Sequence, residues 1–204
     1  MLHNDLLETV EHLDLDVITD QRKSVLQPLV DYIQTKVSEG LEIRLNFICT
    51  HNSRRSHLAQ LWARVAAYWF DIGFVSCYSG GTEATTLYTM VKDTLEIQGF
   101  EIITLAEGSN PIYAIKHDED MDAMITFSKI YDHPFNPREG FAAIMTCTDA
   151  DQNCPVISGV EKRIAISYTD PKMSDGTPEQ QQVYANKSLE IASEMFYVFG
   201  QIEI

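Results

Sequence analysis

Basic residues are scarce in this 204-residue chain: 15 Lys and Arg stand against 30 Asp and Glu, a net charge of −15. A surface this acidic repels phosphate polymers and anionic lipid, so we expect neither a nucleic acid nor a membrane as a partner. The first 20 residues contain no Lys or Arg, whereas a secretory signal peptide begins with positive charge. The longest apolar run, residues 65–70, is far shorter than the roughly 20 residues that span a bilayer. These absences favour a cytoplasmic protein.

Cysteine is also infrequent, and the chain carries only Cys49, Cys77, Cys147 and Cys154. In an intracellular chain, cysteines more often serve catalysis, metal binding or core packing than structural disulfides. The composition is otherwise that of a globular protein, because 45% of the residues are apolar. The length corresponds to one globular domain with an appendage.

The sequence pattern divides the chain into an N-terminal helical extension, residues 1–40, and an α/β domain, residues 41–204. In the extension, apolar residues recur at helical spacing and stop at Gly40. Within the domain, residues 104–140 contain three prolines and an acidic cluster. This composition predicts an irregular excursion around one strand at residues 123–127.

Strands and helices alternate in the rest of the domain. Short β-rich runs at 44–49, 74–79, 141–146 and 163–168 predict strands, and apolar spacing at 56–70, 87–98 and 178–199 predicts helices. This alternation indicates an α/β fold with a central, mostly parallel sheet that helices cover on both faces. Cys77 falls inside a predicted strand, and we interpret it as a core residue.

The loop between the first of these strands and the next helix carries a candidate nucleophile, in the sequence Cys49-Thr50-His51-Asn52-Ser53-Arg54-Arg55-Ser56. Backbone N–H groups at the start of a helix favour a bound anion, and the same field favours the thiolate form of a cysteine. Arg55 would hold two oxygens of a tetrahedral anion, and Ser56 would donate a hydrogen bond to the Cys49 thiolate. The predicted oxyanion-binding residues are Thr50, His51, Asn52, Ser53, Arg54, Arg55 and Ser56. The alternative is that Cys49 is a buried core cysteine and the arginines are surface charges.

This loop, together with Ala59, Trp62 and Ala63 of the following helix, resembles the low-molecular-weight tyrosine phosphatase superfamily and, within it, the thioredoxin-coupled arsenate reductases. Their loop reads Cys-Thr-Gly-Asn-Ser-Cys-Arg-Ser, and the resemblance extends over about residues 43–200. It implies a four-stranded, mostly parallel sheet flanked by helices. His51 replaces the family's glycine and Arg54 its usual cysteine, so both add bulk or positive charge to the loop.

The last two cysteines distinguish reductases from phosphatases. A phosphatase needs one cysteine, because water completes its cycle, whereas a reductase needs further thiols that supply two electrons and leave as a disulfide. The resemblance implies that Cys49 attacks arsenate, that Cys147 attacks Cys49 and releases arsenite, and that Cys154 attacks Cys147 to leave a disulfide for thioredoxin. The alternatives are that Cys147 and Cys154 are buried loop residues, or that they form half of a metal site with His133 or His117.

The spacing of Cys147 and Cys154 also predicts a conformational change. If the segment between them were helical, a rise of ~1.5 Å per residue would place the two thiols about 10.5 Å apart along the axis. A disulfide requires Cα atoms within roughly 7 Å of each other. The segment must therefore rearrange when it is oxidised.

Asp170-Pro171 lies where the superfamily carries its general acid, so the resemblance implies that Asp170 protonates the leaving oxygen. The alternative is an ordinary Asp-Pro turn. Residues 172–175 contain no aromatic side chain to hold a phosphotyrosine ring, which favours a small inorganic anion. Some relatives bind potassium through an asparagine, a serine and acidic residues. Asn52 and Ser79 match that set but Gln60 replaces the glutamate, so we predict no metal ion.

Three hypotheses follow. The first is a cytoplasmic arsenate reductase with Cys49, Cys147 and Cys154 in relay, Arg55 as oxyanion ligand and Asp170 as acid. The second is a phosphatase that forms a phosphocysteine at Cys49, with the other two cysteines protecting that thiol from overoxidation. The third is a redox-sensing or anion-binding module. The expected partners are a small oxyanion, either arsenate or a phosphate ester, and thioredoxin as reductant, with no cofactor.

Overall fold

The computed structural model describes residues 1–153 and 156–204. The strands are β1 (Ile43–Cys49), β2 (Val75–Gly81), β3 (Glu101–Ala106), β4 (Ile112–Lys116), β5 (Met124–Thr126), β6 (Phe141–Met145) and β7 (Val160–Ala165). The helices are α1 (Asn4–Glu11), α2 (Asp20–Glu39), α3 (Arg55–Trp69), α4 (Thr89–Ile97), α5 (Thr148–Asn153) and α6 (Gln180–Gly200). A 3₁₀ turn covers Pro171–Ser174.

The central sheet contains four parallel strands in the order β2-β1-β6-β7. Cys49 at the end of β1 lies opposite Gly81 of β2, and Ile48 lies opposite Met145 of β6. The carboxyl ends of parallel strands share one edge of the sheet, so the segments that follow β1, β6 and β7 all emerge there. The predicted four-stranded parallel sheet flanked by helices is confirmed.

The two faces of the sheet are covered unequally. Alternate side chains of β1 and β6, such as Leu45, Phe47 and Ile144, enter a large core cluster that includes residues of α3 and α6. The neighbouring side chains enter a smaller cluster on the other side, made of Ile48, Cys49, Phe141, Ala143, Met145, Cys147, Ala150 and Ile157. Two of the chain's cysteines therefore share one small apolar environment.

Residues 1–40 form two helices, and their apolar residues join the large core cluster. Leu6 and Val10 of α1 and Leu26, Leu29 and Ile33 of α2 are buried there. Thr19 caps the start of α2 by accepting a hydrogen bond from Arg22 N, and Gly40 ends the helix in a left-handed conformation, with φ of 66°. The described part of the chain contains no helix that is long and apolar enough to cross a membrane.

Residues 104–140 are more regular than the sequence predicts. Instead of one strand in an irregular excursion, β3, β4 and β5 form a second, antiparallel sheet in the order β3-β4-β5. The sequence pattern misses β3 because most of its residues are exposed, and a register shift between Thr104 and Ala106 interrupts the alternation. The last strand of the central sheet also begins earlier than predicted, at Val160 rather than residue 163, because its pairing with β6 extends to Phe141.

Candidate active site

The nucleophile loop joins the carboxyl end of β1 to the start of α3. Cys49 is the last residue of β1, with 3% of its surface exposed, and α3 begins at Arg55. Backbone N–H groups of Thr82 and Glu83, which follow β2, donate to the carbonyl oxygens of Cys49 and Thr50 at 3.1 and 2.8 Å. The sheet edge therefore holds the first residues of the loop from one side.

Asn52 and Ser56 orient a hydrogen bond toward the thiol. The Cys49 Sγ lies 3.1 Å from Ser56 Oγ, and Asn52 Nδ2 donates to that same hydroxyl oxygen at 2.9 Å. The backbone N–H of Lys129 donates to Asn52 Oδ1 at 2.9 Å, which fixes the orientation of the amide. Because Ser56 Oγ accepts from Asn52, its own hydrogen remains available to the Cys49 sulfur. Asn52 has a φ of 44°, in the left-handed region that asparagine tolerates.

His57 supports this arrangement from the interior, although no motif or spacing in the sequence predicts that role. Its ring is fully buried, with Nε2 2.9 Å from the Asn52 carbonyl oxygen and Nδ1 3.2 Å from Ser79 Oγ. Burial lowers the pKa of His57 to about 3, and the neighbouring charge of Lys129 acts in the same direction. The neutral ring therefore donates through Nε2 and accepts from Ser79 through Nδ1. The only signal in the sequence was a histidine in the first turn of α3, beside the buried Leu58.

Arg55 and Asp170 lie together at the mouth of the loop. Arg55 Nη2 donates to Asp170 Oδ2 at 2.6 Å and Nη1 donates to the Tyr168 carbonyl oxygen at 3.0 Å. Among the described residues, the buried Arg55 Nε has no hydrogen-bond partner, so one donor of the guanidinium is available to an anion. The pocket here is lined by Cys49, His51, Ser53, Arg54, Arg55 and Asp170 and has a volume of about 10 Å³, roughly one water molecule.

The two residues that depart from the family's loop sequence have different surroundings. His51 is partly exposed, with Nε2 3.7 Å from Glu83 Oε2, and the left-handed backbone of the loop falls on Asn52 rather than on His51. A glycine is therefore not required at position 51. The Arg54 side chain turns toward Asp175, to which its Nη2 donates at 2.7 Å. Its positive charge is neutralised there.

Cys147 borders the nucleophile loop. It is 1% exposed, directly precedes α5, and its Sγ lies 3.4 Å from Thr50 Oγ1 and 3.4 Å from the Ala150 N–H. Cys49 and Cys147 belong to the same small core cluster. Cys154, and with it the predicted rearrangement of the segment between Cys147 and Cys154, lies outside the described residues.

The remaining candidate residues lie away from the pocket. Cys77 is a free thiol in β2, and burial raises its pKa to about 12, which makes it unreactive. Gln60 Nε2 donates to the Cys77 carbonyl oxygen at 3.2 Å. Over residues 1–153 and 156–204, no three His, Cys, Asp or Glu side chains are grouped as metal ligands. His133 Nδ1 instead accepts a hydrogen bond from the Phe135 N–H at 3.2 Å.

Comparison with known proteins assigns the fold and the family. No protein-family model matches the sequence. The chain is 30% identical over 129 residues to arsenate reductase 2 of Staphylococcus saprophyticus subsp. saprophyticus, which covers 61% of this chain and 76% of that protein.

The solved structures that share the fold include two low-molecular-weight phosphatases. A low-molecular-weight phosphotyrosine phosphatase from Vibrio cholerae O395 has a TM-score of 0.52 at 13% identity, over 76% of this chain and 93% of that one. A low-molecular-weight protein tyrosine phosphatase from T. tengcongensis has a TM-score of 0.52 at 13% identity, over 79% of this chain and 100% of that one. The relationship in sequence and the shared fold together establish that this chain is an enzyme of the superfamily of low-molecular-weight protein tyrosine phosphatases and arsenate reductases.

Proposed function

We propose that the chain is a cytoplasmic arsenate reductase that acts through Cys49, Cys147 and Cys154 and is recycled by thioredoxin. The similarity to an arsenate reductase supports the choice of substrate. The observation that carries the proposal is the position of Cys147, whose Sγ lies 3.4 Å from Thr50 Oγ1 in the nucleophile loop. A second thiol beside the first serves a reaction that needs two electrons, whereas hydrolysis needs only Cys49.

In the first step, arsenate replaces the Asp170 carboxylate as the partner of Arg55. The Asp170 carboxylate is bound to Arg55 at 2.6 Å, in the position where an oxyanion would bind, so arsenate must displace it. Arg55 and the backbone N–H groups of the loop then hold the anion. The Cys49 thiolate attacks arsenic and a sulfur–arsenic bond forms. Asp170, which takes up a proton from solvent once it is released from Arg55, donates that proton to a hydroxyl oxygen of arsenate, whose bond to arsenic breaks so that the oxygen leaves as water.

In the second step, electrons pass from thiols to arsenic. The Cys147 thiolate attacks the Cys49 sulfur, the sulfur–arsenic bond breaks, and its electron pair remains on arsenic, which leaves as arsenite. A Cys49–Cys147 disulfide is formed. The Cys154 thiolate then attacks the Cys147 sulfur, which frees Cys49 and leaves a Cys147–Cys154 disulfide. The dithiol of thioredoxin reduces this disulfide and is itself oxidised.

The test is a coupled assay on the reduced protein with arsenate, thioredoxin, thioredoxin reductase and NADPH. We expect NADPH consumption over many turnovers that depends on arsenate and is lost in Cys147→Ser. The matched control is Cys77→Ala, which removes a thiol from β2 outside the pocket and should retain turnover. Turnover that survives in Cys147→Ser would refute the relay.

The second candidate is a phosphatase that acts through a phosphocysteine. The observation in its favour is that Cys49, Arg55 and Asp170 line one pocket, which is a sufficient set for hydrolysis of a phosphate ester. For a phosphatase, an aryl phosphate is hydrolysed by both the wild type and Cys147→Ser, and arsenate causes no NADPH consumption.

A further inference from the structure

Arg54 connects the nucleophile loop to the segment that carries Asp170. Arg54 precedes α3, and Asp175 directly follows the 3₁₀ turn Pro171–Ser174. The Arg54 Nη2 to Asp175 Oδ2 distance is 2.7 Å, and the two side chains are 12% and 24% exposed. An ion pair that is mostly shielded from water is stronger than a surface pair. The two loops are therefore tied directly to each other.

Two tyrosines contact this ion pair. The Tyr184 hydroxyl accepts from Arg54 Nε at 2.6 Å and donates to Asp175 Oδ1 at 2.6 Å. The Arg54 guanidinium carbon lies 4.1 Å from the centre of the Tyr88 ring, at cation–π distance. Tyr184 is fully buried in α6 and Tyr88 directly precedes α4. Arg54, Asp175, Tyr184 and Tyr88 together form what we call the arginine clamp.

The turn between Asp170 and Asp175 connects the arginine clamp to the proposed acid. The Lys172 N–H donates to Asp170 Oδ1 at 3.0 Å, and Ser174 Oγ donates to the Pro171 carbonyl oxygen at 2.8 Å. The Asp175 N–H donates to the Lys172 carbonyl oxygen at 3.0 Å. Because these bonds make the turn a short, cross-linked unit, a restraint on Asp175 also restrains Asp170.

We propose that Arg54 and Asp175 are positioning residues that hold Asp170 over the pocket. By holding it there, they restrict the pocket to substrates the size of an inorganic oxyanion. The inference rests on the proposed function, since it assumes that Asp170 is the acid. Arg54 lines the pocket, but its Nε and one Nη are engaged with Tyr184 and Asp175. Its side chain therefore acts on the geometry of the acid rather than as a second anion ligand.

The experiment compares the hydrolysis of two phosphate esters by the wild type, Arg54→Gln, Asp175→Asn and the double variant. Phenyl phosphate has a poor leaving group that requires a positioned acid, whereas p-nitrophenyl phosphate has a good one that does not. We expect kcat for phenyl phosphate to fall about 10- to 100-fold in each single variant, and kcat for p-nitrophenyl phosphate to stay within about threefold in Asp175→Asn, which alters no residue that lines the pocket. The double variant should be no slower than the slower single variant, because both substitutions break one contact.

KM reports the restriction in substrate size, whereas kcat reports the positioning of the acid. Because a loosened turn admits the aryl group, KM for p-nitrophenyl phosphate should fall in the clamp variants, while inhibition by inorganic phosphate should stay unchanged in Asp175→Asn. The matched control is the exposed ion pair of Lys92 and Glu96 in α4, at 2.7 Å. Lys92→Gln and Glu96→Gln should leave both esters unaffected. Equal loss of kcat for the two esters, or an unchanged KM, would overturn the proposal.

A measurement without turnover distinguishes this inference from the proposed function. Amide hydrogen exchange of Lys172 and Asp175 should be slow in the wild type and at least about tenfold faster in Arg54→Gln, because loss of the clamp frees the turn. If exchange accelerates but arsenate supports no NADPH consumption, the clamp holds and the reductase assignment fails. If arsenate is reduced and exchange is unchanged in Arg54→Gln, the reductase assignment holds and the clamp is wrong.

Discussion

Replacement of His57 by glutamine should remove a large part of the acid sensitivity of folding. The His57 ring is fully buried, and burial lowers its pKa to about 3 in the folded protein, against about 6.5 in an unfolded chain. Between these two values the unfolded state binds a proton that the folded state does not. The free energy of unfolding therefore falls as the pH falls from about 6.5 toward 3.

The expected size of this effect follows from the two pKa values. From about pH 7.5 to about pH 5 the unfolded histidine becomes almost fully protonated while the folded ring stays neutral, which removes about 2 kcal/mol of stability, at about 1.4 kcal/mol per pH unit below the unfolded pKa. Glutamine does not titrate, and its amide nitrogen can still donate to the Asn52 carbonyl oxygen. The substitution thus removes the charge change with the smallest change in hydrogen bonding.

The assay is urea unfolding of the wild type and His57→Gln at both pH values. The variant should be less stable at the higher pH, because the bond from Ser79 is lost, but its stability should decline about 2 kcal/mol less on acidification. Other buried groups, such as His117, whose pKa burial lowers to about 4, titrate in both proteins and cancel in the comparison. An equal decline in the two proteins would refute the assignment of a neutral, buried His57.

Three further substitutions, with Gly73→Ala as a control for the first, test backbone constraints in the chain, each by urea unfolding. Gly81→Ala should destabilise by about 1–3 kcal/mol, because a Cβ there would overlap the Glu83 carbonyl oxygen and lie 2.7 Å from Asn52 N and from the Thr50 carbonyl oxygen. Gly73→Ala, with nothing within 4 Å of the added Cβ, should change stability little. Phe74→Asn should stabilise by about 1 kcal/mol, because an 84% exposed phenylalanine has a φ of 57°. Asn52→Ala should destabilise by about 2–4 kcal/mol and slow turnover, because it loses the bond to Ser56 and leaves a strained φ.

The loop from Cys49 to Ser56 could be identified from sequence because its information is local. A β-rich run, a thiol, an arginine and the start of an amphipathic helix are neighbours in the chain, and their order is enough to predict a strand, an anion loop and a helix. The parallel sheet follows in the same way from the alternation of strands and helices. β3 was missed because an exposed strand has no buried face to produce a clear alternation. β4 was missed because it is short and its two buried residues, Ala114 and Ile115, are adjacent in the chain instead of alternating with exposed ones.

The partners of the site's side chains could not be derived from the sequence. Whether Arg54 lines an anion site or pairs with another loop depends on Asp175, which is 121 positions away in the chain. The neutral state of His57 depends on its burial beneath Asn52 and Ser79. Sequence patterns report the period of a single element, whereas these contacts exist only after different elements pack together.

The sequence by itself therefore determined the type of sheet and predicted both a candidate nucleophile, Cys49, and the loop that holds it. The tertiary structure decided which groups surround Cys49. Asp170 lies on Arg55, 115 positions away in the chain, Cys147 lies beside Thr50, 97 positions away, and Arg54 is turned toward Asp175. The physical reason is that backbone hydrogen bonding and amphipathic spacing act over a few residues. Ion pairs, hydrogen bonds between loops and the protonation of buried groups depend on packing between segments that are distant along the chain.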